Sequence, residues 1–296
     1  MTRRATWALA GATLAVSFSA IFIRIANDDA ATIVWVRMGM AALLLSPWAA
    51  AEIRRGALRL PPARAAVVFT SGLLLAGHFL LWTASLRYTS IAASVLLVSM
   101  HPVLVAPLGR RLLGDRMPAR AALGMSLAIV GTLLTCAGDL RLNTSALLGD
   151  ALALGGAACL AGYLLIGRRL RAEVGVAAYS ASVYATVAAV ALVVAAAGRT
   201  VHIPSPRVAA ICVALAVVCT LGGHTVYNWA LRHVRASTVS VSFLGEPPLT
   251  ALLGVIILSS IPGPATIAGG VLILLGVALT IIEPSSRPAE VALALE

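Results

Sequence analysis

The chain repeats its own sequence pattern at an interval of 145 residues, and between Leu86 and Thr135 the register needs no gap. A repeat of this length, in a chain this apolar, is typical of membrane proteins built from two similar halves, many of them transporters. The clearest matches are Leu86-Arg87 with Leu231-Arg232, Pro102 with Pro247, Gly124 with Gly269, and Gly131 with Gly276. The repeat therefore favours transport before any single side chain is considered.

The composition is that of a membrane protein. Of the 296 residues, 60% are hydrophobic and 11% are charged, which leaves too little polar surface for soluble domains. The apolar residues fall into stretches of about 20, the length of helix that crosses roughly 30 Å of hydrocarbon. Helices are expected throughout, because open strands would leave backbone groups unpaired in lipid. The predicted spans are 5–25, 31–51, 65–86, 89–109, 118–137, 147–167, 175–197, 207–231, 236–258 and 264–282.

The net charge of +11 comes entirely from arginine, and the arginines lie mainly in the connections between spans. This placement fits membrane orientation better than a nucleic-acid partner, and none is expected. Sixteen arginines lie at the N-terminus and in alternate connections, against four in the opposite connections. The bias predicts that both termini face the cytoplasm (N-in/C-in).

Each half contains five predicted spans, an odd number, so the second half must enter the membrane from the opposite side. The predicted fold is an all-α integral membrane protein of ten transmembrane helices, arranged as two inverted-topology five-helix repeats. Such repeats can exchange inward-open and outward-open shapes around a central site. The first repeat is predicted at 5–137, the second at 147–283, and a short cytoplasmic tail at 284–296.

Both halves carry motifs that resemble a known family. The motifs are Gly77-His78-Phe79-Leu80-Leu81-Trp82, Leu86-Arg87-Tyr88-Thr89-Ser90, Leu112-Leu113-Gly114-Asp115, Gly223-His224, Asn228-Trp229-Ala230-Leu231-Arg232 and Gly245-Glu246-Pro247. They are similar to those of EamA-type members of the drug/metabolite transporter superfamily, and the resemblance covers nearly the whole chain. It implies metabolite transport across the plasma (inner) membrane, often export of amino acids or related compounds, with a cavity lined mainly by spans 1, 3, 4, 6, 8 and 9. One departure is Leu258-Ser259-Ser260, where the family pattern has Leu-Gly-Glu, so no acidic role is expected there.

Polar residues inside spans cost several kcal/mol unless they pair or face water, so their helical phase points to a cavity. In span 8, Thr220, His224, Tyr227 and Asn228 share one face. The candidate substrate-binding residues are Arg24, Arg37, His78, Trp82, His101, His224, Tyr227, Asn228 and Glu246. Two alternatives stay open, namely hydrogen bonds between helices for the polar groups and simple packing for the tryptophan.

Charged and proline residues within spans suggest particular roles. Arg24 or Arg37 could bind a substrate carboxylate with its planar guanidinium, or could snorkel to the outer surface. Glu246 could carry a proton for coupled transport, or could stabilise a helix kink. Kinks, with a role in gating, are predicted at Pro102, Pro247 and Pro248.

Glycines spaced by seven in spans 5 and 10 predict close helix packing or a homodimer contact through these spans. The four cysteines, Cys136, Cys159, Cys212 and Cys219, show no metal-binding spacing, so neither a metal nor a cofactor is expected.

We predict a secondary transporter of small metabolites such as amino acids or related carboxylates, with the lipid bilayer as its other partner. The family resemblance implies that it is an exporter. A passive channel or facilitator is the main alternative. An integral membrane enzyme is disfavoured because the chain has no His-Glu-x-x-His, no phosphate-binding glycine loop and no paired carboxylates inside spans.

Overall fold

The structure, a computed structural model, describes residues 3–56, 62–115, 117–137, 144–171, 173–258 and 263–281. All regular secondary structure in these ranges is helical. The predicted tail at 284–296, the side chain of Cys136 and the residues Ser259-Ser260 lie outside the described part. We number the helices to match the predicted spans: α1 (Arg3–Ser17 and Ser19–Ala26), α2 (Ala30–Arg54), α3 (Pro62–Ser85), α4 (Ile91–Val98 and Pro102–Leu113), α5 (Ala119–Ala137), α6 (Thr144–Leu170), α7 (Val176–Ala197), α8 (Pro206–Ala214, Leu215–His224 and Thr225–Ala230), α9 (Ala236–Phe243 and Glu246–Leu258) and α10 (Pro264–Ile281).

Eight of these helices are long and apolar enough to cross a membrane. The two shorter apolar helices, Ala119–Leu134 and Pro264–Thr280, lie in α5 and α10. The helical membrane fold is thus confirmed, while the count of ten spans and the N-in/C-in orientation stay predictions.

The two halves pack symmetrically. Helix α5 packs on its own counterpart α10, and α2 packs on its counterpart α7. The contact of α3 with α6 is matched by that of α8 with α1, and the contact of α4 with α6 by that of α9 with α1. Exchanging every helix for its counterpart in the other half thus returns the same set of pairs, as expected for two repeats related by a pseudo-twofold axis.

Glycines explain how α5 and α10 approach so closely. The missing side chain of Gly124 leaves room for the Gly276 backbone, and Gly131 does the same for Gly269. Larger residues on the opposite faces, such as Leu133 and Ile267, are exposed, as expected for surfaces that meet lipid. The glycine faces therefore serve packing within the chain, and the predicted homodimer stays a prediction.

Helices α4 and α9 break at equivalent places. The break in α4 covers residues 99–101 and precedes Pro102, whereas that in α9 covers residues 244–245 and precedes Glu246-Pro247. Proline has no backbone N–H to donate to the preceding turn, which accounts for both breaks. Two further irregularities were not predicted, namely a break in α1 at Phe18 and a π-helix from Leu215 to His224 in α8.

The connections gather at two ends of the bundle. At one end, which we call the inner end, Glu52 accepts a hydrogen bond from Ala178 N at 2.9 Å, and Arg168 lies 3.9 Å from Asp115. At the other, the outer end, His202 lies 2.9 Å from Asp28. The connections at the inner end are the arginine-rich ones, which the sequence predicts to lie on the cytoplasmic side.

Candidate substrate cavity

A cavity lies between the two halves, near the breaks of α4 and α9. Its volume is about 20 Å³, enough for one or two waters. Its walls come from α1, α3, α4, α6, α8 and α9, the same six helices that the family resemblance implies. The lining residues are Val16, Ser19, His78, Trp82, Val98, Ser99, His101, Leu160, His224, Phe243 and Glu246.

His101 and Glu246 occupy equivalent positions of the repeat and both line this cavity. Each directly precedes a proline at the break of its helix, and each is buried, with exposures of 0% and 6%. Because the pseudo-twofold axis relates these positions, the cavity carries an imidazole on one half and a carboxyl group on the other. The site is therefore chemically asymmetric within a symmetric frame.

Several polar atoms on the wall lack a partner. Trp82 Nε1, Ser99 Oγ and His101 Nε2 are buried without a hydrogen bond to any described residue. A buried polar atom left unpaired costs about 1–3 kcal/mol, so these groups are suited to pair with water or a bound solute.

Aromatic rings form part of the wall around His78. Its ring stacks on Trp82, with centroids 6.0 Å apart and planes inclined by 9°. His78 Nδ1 lies 3.0 Å from the Gly156 carbonyl oxygen. A carbonyl oxygen can only accept, so Nδ1 must carry a proton, and in the neutral ring Nε2 keeps its lone pair. His224 meets the edge of Phe79 at 5.0 Å, so both histidines are held by ring contacts.

Arg37 lies behind the wall, 1% exposed, and points into the bundle rather than towards the outer end. Its Nε donates to Thr220 Oγ1 at 2.8 Å and its Nη1 donates to Ser19 Oγ at 3.0 Å. The guanidinium also lies 4.6 Å from the Phe79 ring centroid, a cation–π contact. Ser19 accepts from Arg37 and lines the cavity, so the guanidinium polarises its hydroxyl, which can donate to a group bound there.

Three other candidates lie away from the cavity. Tyr227 shares a hydrogen bond of 2.8 Å with Thr13 and stacks on Phe243 at 3.8 Å, so it supports the wall from behind. Asn228 accepts from Tyr163 at 2.6 Å and donates to Ser180 at 3.0 Å, which joins α6, α7 and α8. Arg24 lies at the outer end, with Nη2 3.3 Å from the Thr89 carbonyl oxygen.

Six residues of the cavity wall were not among the predicted candidates, namely Val16, Ser19, Val98, Ser99, Leu160 and Phe243. Ser19 lies three residues after Val16, on the same face of α1, and a single serine there gave no pattern that would separate it from one bonded to a neighbouring helix. Ser99 lies inside the break of α4, where no helical phase applies. Phe243 is apolar and gave no signal that would separate it from lipid-facing or core residues.

Within the described ranges, no group of three or more His, Cys, Asp or Glu side chains is placed to hold a metal ion. The model for the EamA-like transporter family matches the chain twice, over residues 3–137 and 147–282. The chain belongs to the EamA-like transporter family. The two matches are the sequence counterpart of the symmetric helix pairing. The family is one of membrane transporters rather than enzymes.

One similar solved structure is described only as a crystal structure of a protein. It is 21% identical, covers 100% of both chains and has a TM-score of 0.76. At this identity the likeness shows the shared fold alone. No curated protein matches the EamA-like chain.

Proposed function

We propose that this EamA-like protein is a secondary transporter of the plasma (inner) membrane that exports small zwitterionic metabolites, with amino acids and related carboxylates as the leading class. It works by alternating access around the central cavity. The observation that carries the proposal is that Glu246 and Ser19 both line the cavity, and that Arg37 donates a hydrogen bond to Ser19. The direction, export, rests on the family resemblance.

The charges favour a ligand with two poles. An ammonium group complements the Glu246 carboxylate, whereas a substrate carboxylate complements the Ser19 hydroxyl and the charge of Arg37. The unpaired atoms Trp82 Nε1 and Ser99 Oγ supply further hydrogen bonds. A zwitterion with both groups satisfies more of these buried atoms than a simple amine or acid does.

The small volume of the cavity favours a carrier over an open pore. Space for one or two waters cannot hold an amino acid, so binding requires the helices to move. The breaks of α4 and α9 lie beside the cavity and provide places where these helices can bend. Contacts such as Glu52 with Ala178 tie the inner end in this conformation, and alternating access requires them to open.

Purified protein in liposomes tests the proposal. We expect saturable counterflow of labelled amino acids, and weaker exchange of matched amines and acids that lack one of the two charges. Unsaturable flux without exchange would instead identify a passive channel and refute the carrier. Subcellular fractionation and terminal tags test the plasma-membrane location and the cytoplasmic position of both termini.

The Glu246→Gln variant tests the ammonium subsite. We expect it to weaken exchange of amino acids at least tenfold while leaving acids without an amine little changed, because only the ammonium needs the carboxylate. Glu173→Gln, which removes a half-exposed carboxylate at the inner end, is the matched control. Glu246→Gln also tests proton coupling. If transport by this variant keeps its pH dependence, Glu246 does not carry the coupled proton.

A further inference from the structure

A second chamber opens at the outer end of the bundle. Its volume is about 180 Å³, far larger than that of the central cavity. Helices α1 and α3 and the connections that follow them form its walls. The lining residues are Ile23, Arg24, Asn27, Asp28, Thr83, Leu86 and Arg87.

Arg24 is the charge in this chamber that the fold leaves unbalanced. Its guanidinium donates to a backbone carbonyl and forms no salt bridge with a described carboxylate. The negative charges nearby are engaged elsewhere, since Asp28 pairs with His202 at 2.9 Å. Asp29 accepts from the backbone of Ala31 at 3.0 Å.

Arg87 adds a second positive charge at the chamber wall. Its Nη1 lies 3.8 Å from Asp29 Oδ1, a long contact, and its side chain is 62% exposed. An incoming anion can therefore compete for Arg87 at little cost.

Thr83 provides an independent sign of a ligand. It lines the chamber with only 2% of its surface exposed, and its hydroxyl oxygen has no hydrogen-bond partner among the described residues. The next residue before it on α3, Trp82, lines the central cavity. The two compartments thus lie against consecutive residues of α3.

We infer that this outer chamber is a second binding site, specific for carboxylate-bearing solutes, in which Arg24 and Arg87 bind the anionic group and Thr83 donates a hydrogen bond. It lies on the outer side of the Trp82 wall, where a solute leaving the central cavity arrives. The inference goes beyond the central site, because it concerns a second compartment with its own charge preference.

Charge-selective thiol labelling tests the chamber without a known substrate. The parent for the test is a variant in which the four native cysteines are replaced by alanine, with Asn27→Cys or Thr83→Cys as the reporter. Each purified reporter protein is treated in detergent with a sulfonate-bearing or a trimethylammonium-bearing methanethiosulfonate. The ratio of the two modification rates, corrected with a free thiol, reports the local preference for anions.

We expect the anionic reagent to react faster than the cationic one. Arg24→Gln should lower the ratio of the anionic to the cationic modification rate roughly fivefold, which is the effect of one charge about 7 Å away in water. Acetate should slow modification in the parent and have little effect in Arg24→Gln. Arg207→Gln removes an exposed arginine that does not line the chamber, and it should leave the ratio unchanged.

An unchanged ratio in Arg24→Gln, or an equal fall in Arg207→Gln, would overturn the inference. Asn27 is exposed, so its replacement disturbs no packing, although its φ of 47° costs a cysteine about 1 kcal/mol, and it serves as the reporter where Thr83→Cys does not fold. Labelling needs no transport, so failure here is distinguishable from failure of counterflow in liposomes.

Discussion

The packing of α5 against α10 predicts that a single methyl group at Gly124 will be harmful. An added Cβ would lie 2.5 Å from both the Gly276 carbonyl oxygen and Thr280 Oγ1, whereas an ordinary contact is 3.4–4 Å. The Thr280 side chain can rotate, but the carbonyl oxygen belongs to the backbone of α10. The helices must therefore separate by roughly 1 Å, which loosens the whole contact.

The expected loss follows from two opposed effects. Overpacking costs about 1–3 kcal/mol, and alanine gains about 1 kcal/mol over glycine in a helix. Gly254 provides the matched control, because it lies in α9 and an added Cβ there would meet nothing within 4 Å. Gly254→Ala should keep the gain without the clash, so Gly124→Ala should be less stable than Gly254→Ala by about 2 kcal/mol, the midpoint of the overpacking range.

Thermal unfolding in detergent can be followed with a thiol-reactive fluorescent dye, since Cys212 and Cys219 are free and buried until the bundle opens. At about 2–4 °C per kcal/mol for chains of similar size, the two midpoints should differ by roughly 4–8 °C. Equal midpoints for Gly124→Ala and Gly254→Ala would refute the reasoning, because they would mean that α5 and α10 do not touch at these glycines.

Three further predictions concern the cavity and the two ends. Arg37→Ala should abolish counterflow of carboxylate substrates and Arg37→Lys should retain part of it, since an ammonium keeps the charge but not both hydrogen bonds; normal flux in both variants would exclude the role. Glu52→Ala should lower the free energy of unfolding by about 1 kcal/mol, because α7 loses the carboxylate that accepts from Ala178 N, and an unchanged dye-monitored midpoint would contradict this. The pKa of His202 is raised by its hydrogen bond to the Thr200 carbonyl and by the Asp28 carboxylate. The contact between His202 and Asp28 should therefore be strongest when the pH lies below the ordinary histidine pKa, and it should weaken as the pH rises through the raised pKa of His202. Amide hydrogen exchange at residues 198–205, corrected for intrinsic rates, should become faster over this pH range in the unmodified protein and not in His202→Gln.

Hydropathy and the repeat were enough to predict the helical architecture. A stretch of about 20 apolar residues must be helical in lipid, and this rule holds regardless of neighbouring helices. The kinks predicted at Pro102 and Pro247 coincide with the breaks of α4 and α9, whereas Pro47 in α2 and Pro107 in α4 lie inside unbroken helices. The internal match also predicted two similar halves, and the repeated helix contacts and the two family matches agree with it.

Helical phase could place a polar residue on a face, but it could not tell which neighbour that face meets. Thr220, Tyr227 and Asn228 share the polar face of α8, yet none lines the cavity, since each is paired with a residue from another helix. Arg37 reaches the cavity through its hydrogen bond to Ser19, a contact between α2 and α1 that helical phase alone does not show.

Sequence alone thus determined which segments are helices and that they form two equivalent sets, because these properties depend on local composition and on the internal repeat. Tertiary packing alone decided that Glu246, His101 and Ser19 meet in one cavity while Arg24 lies in another. Those placements depend on which helix faces touch across the pseudo-twofold axis, and such contacts join residues far apart in the chain.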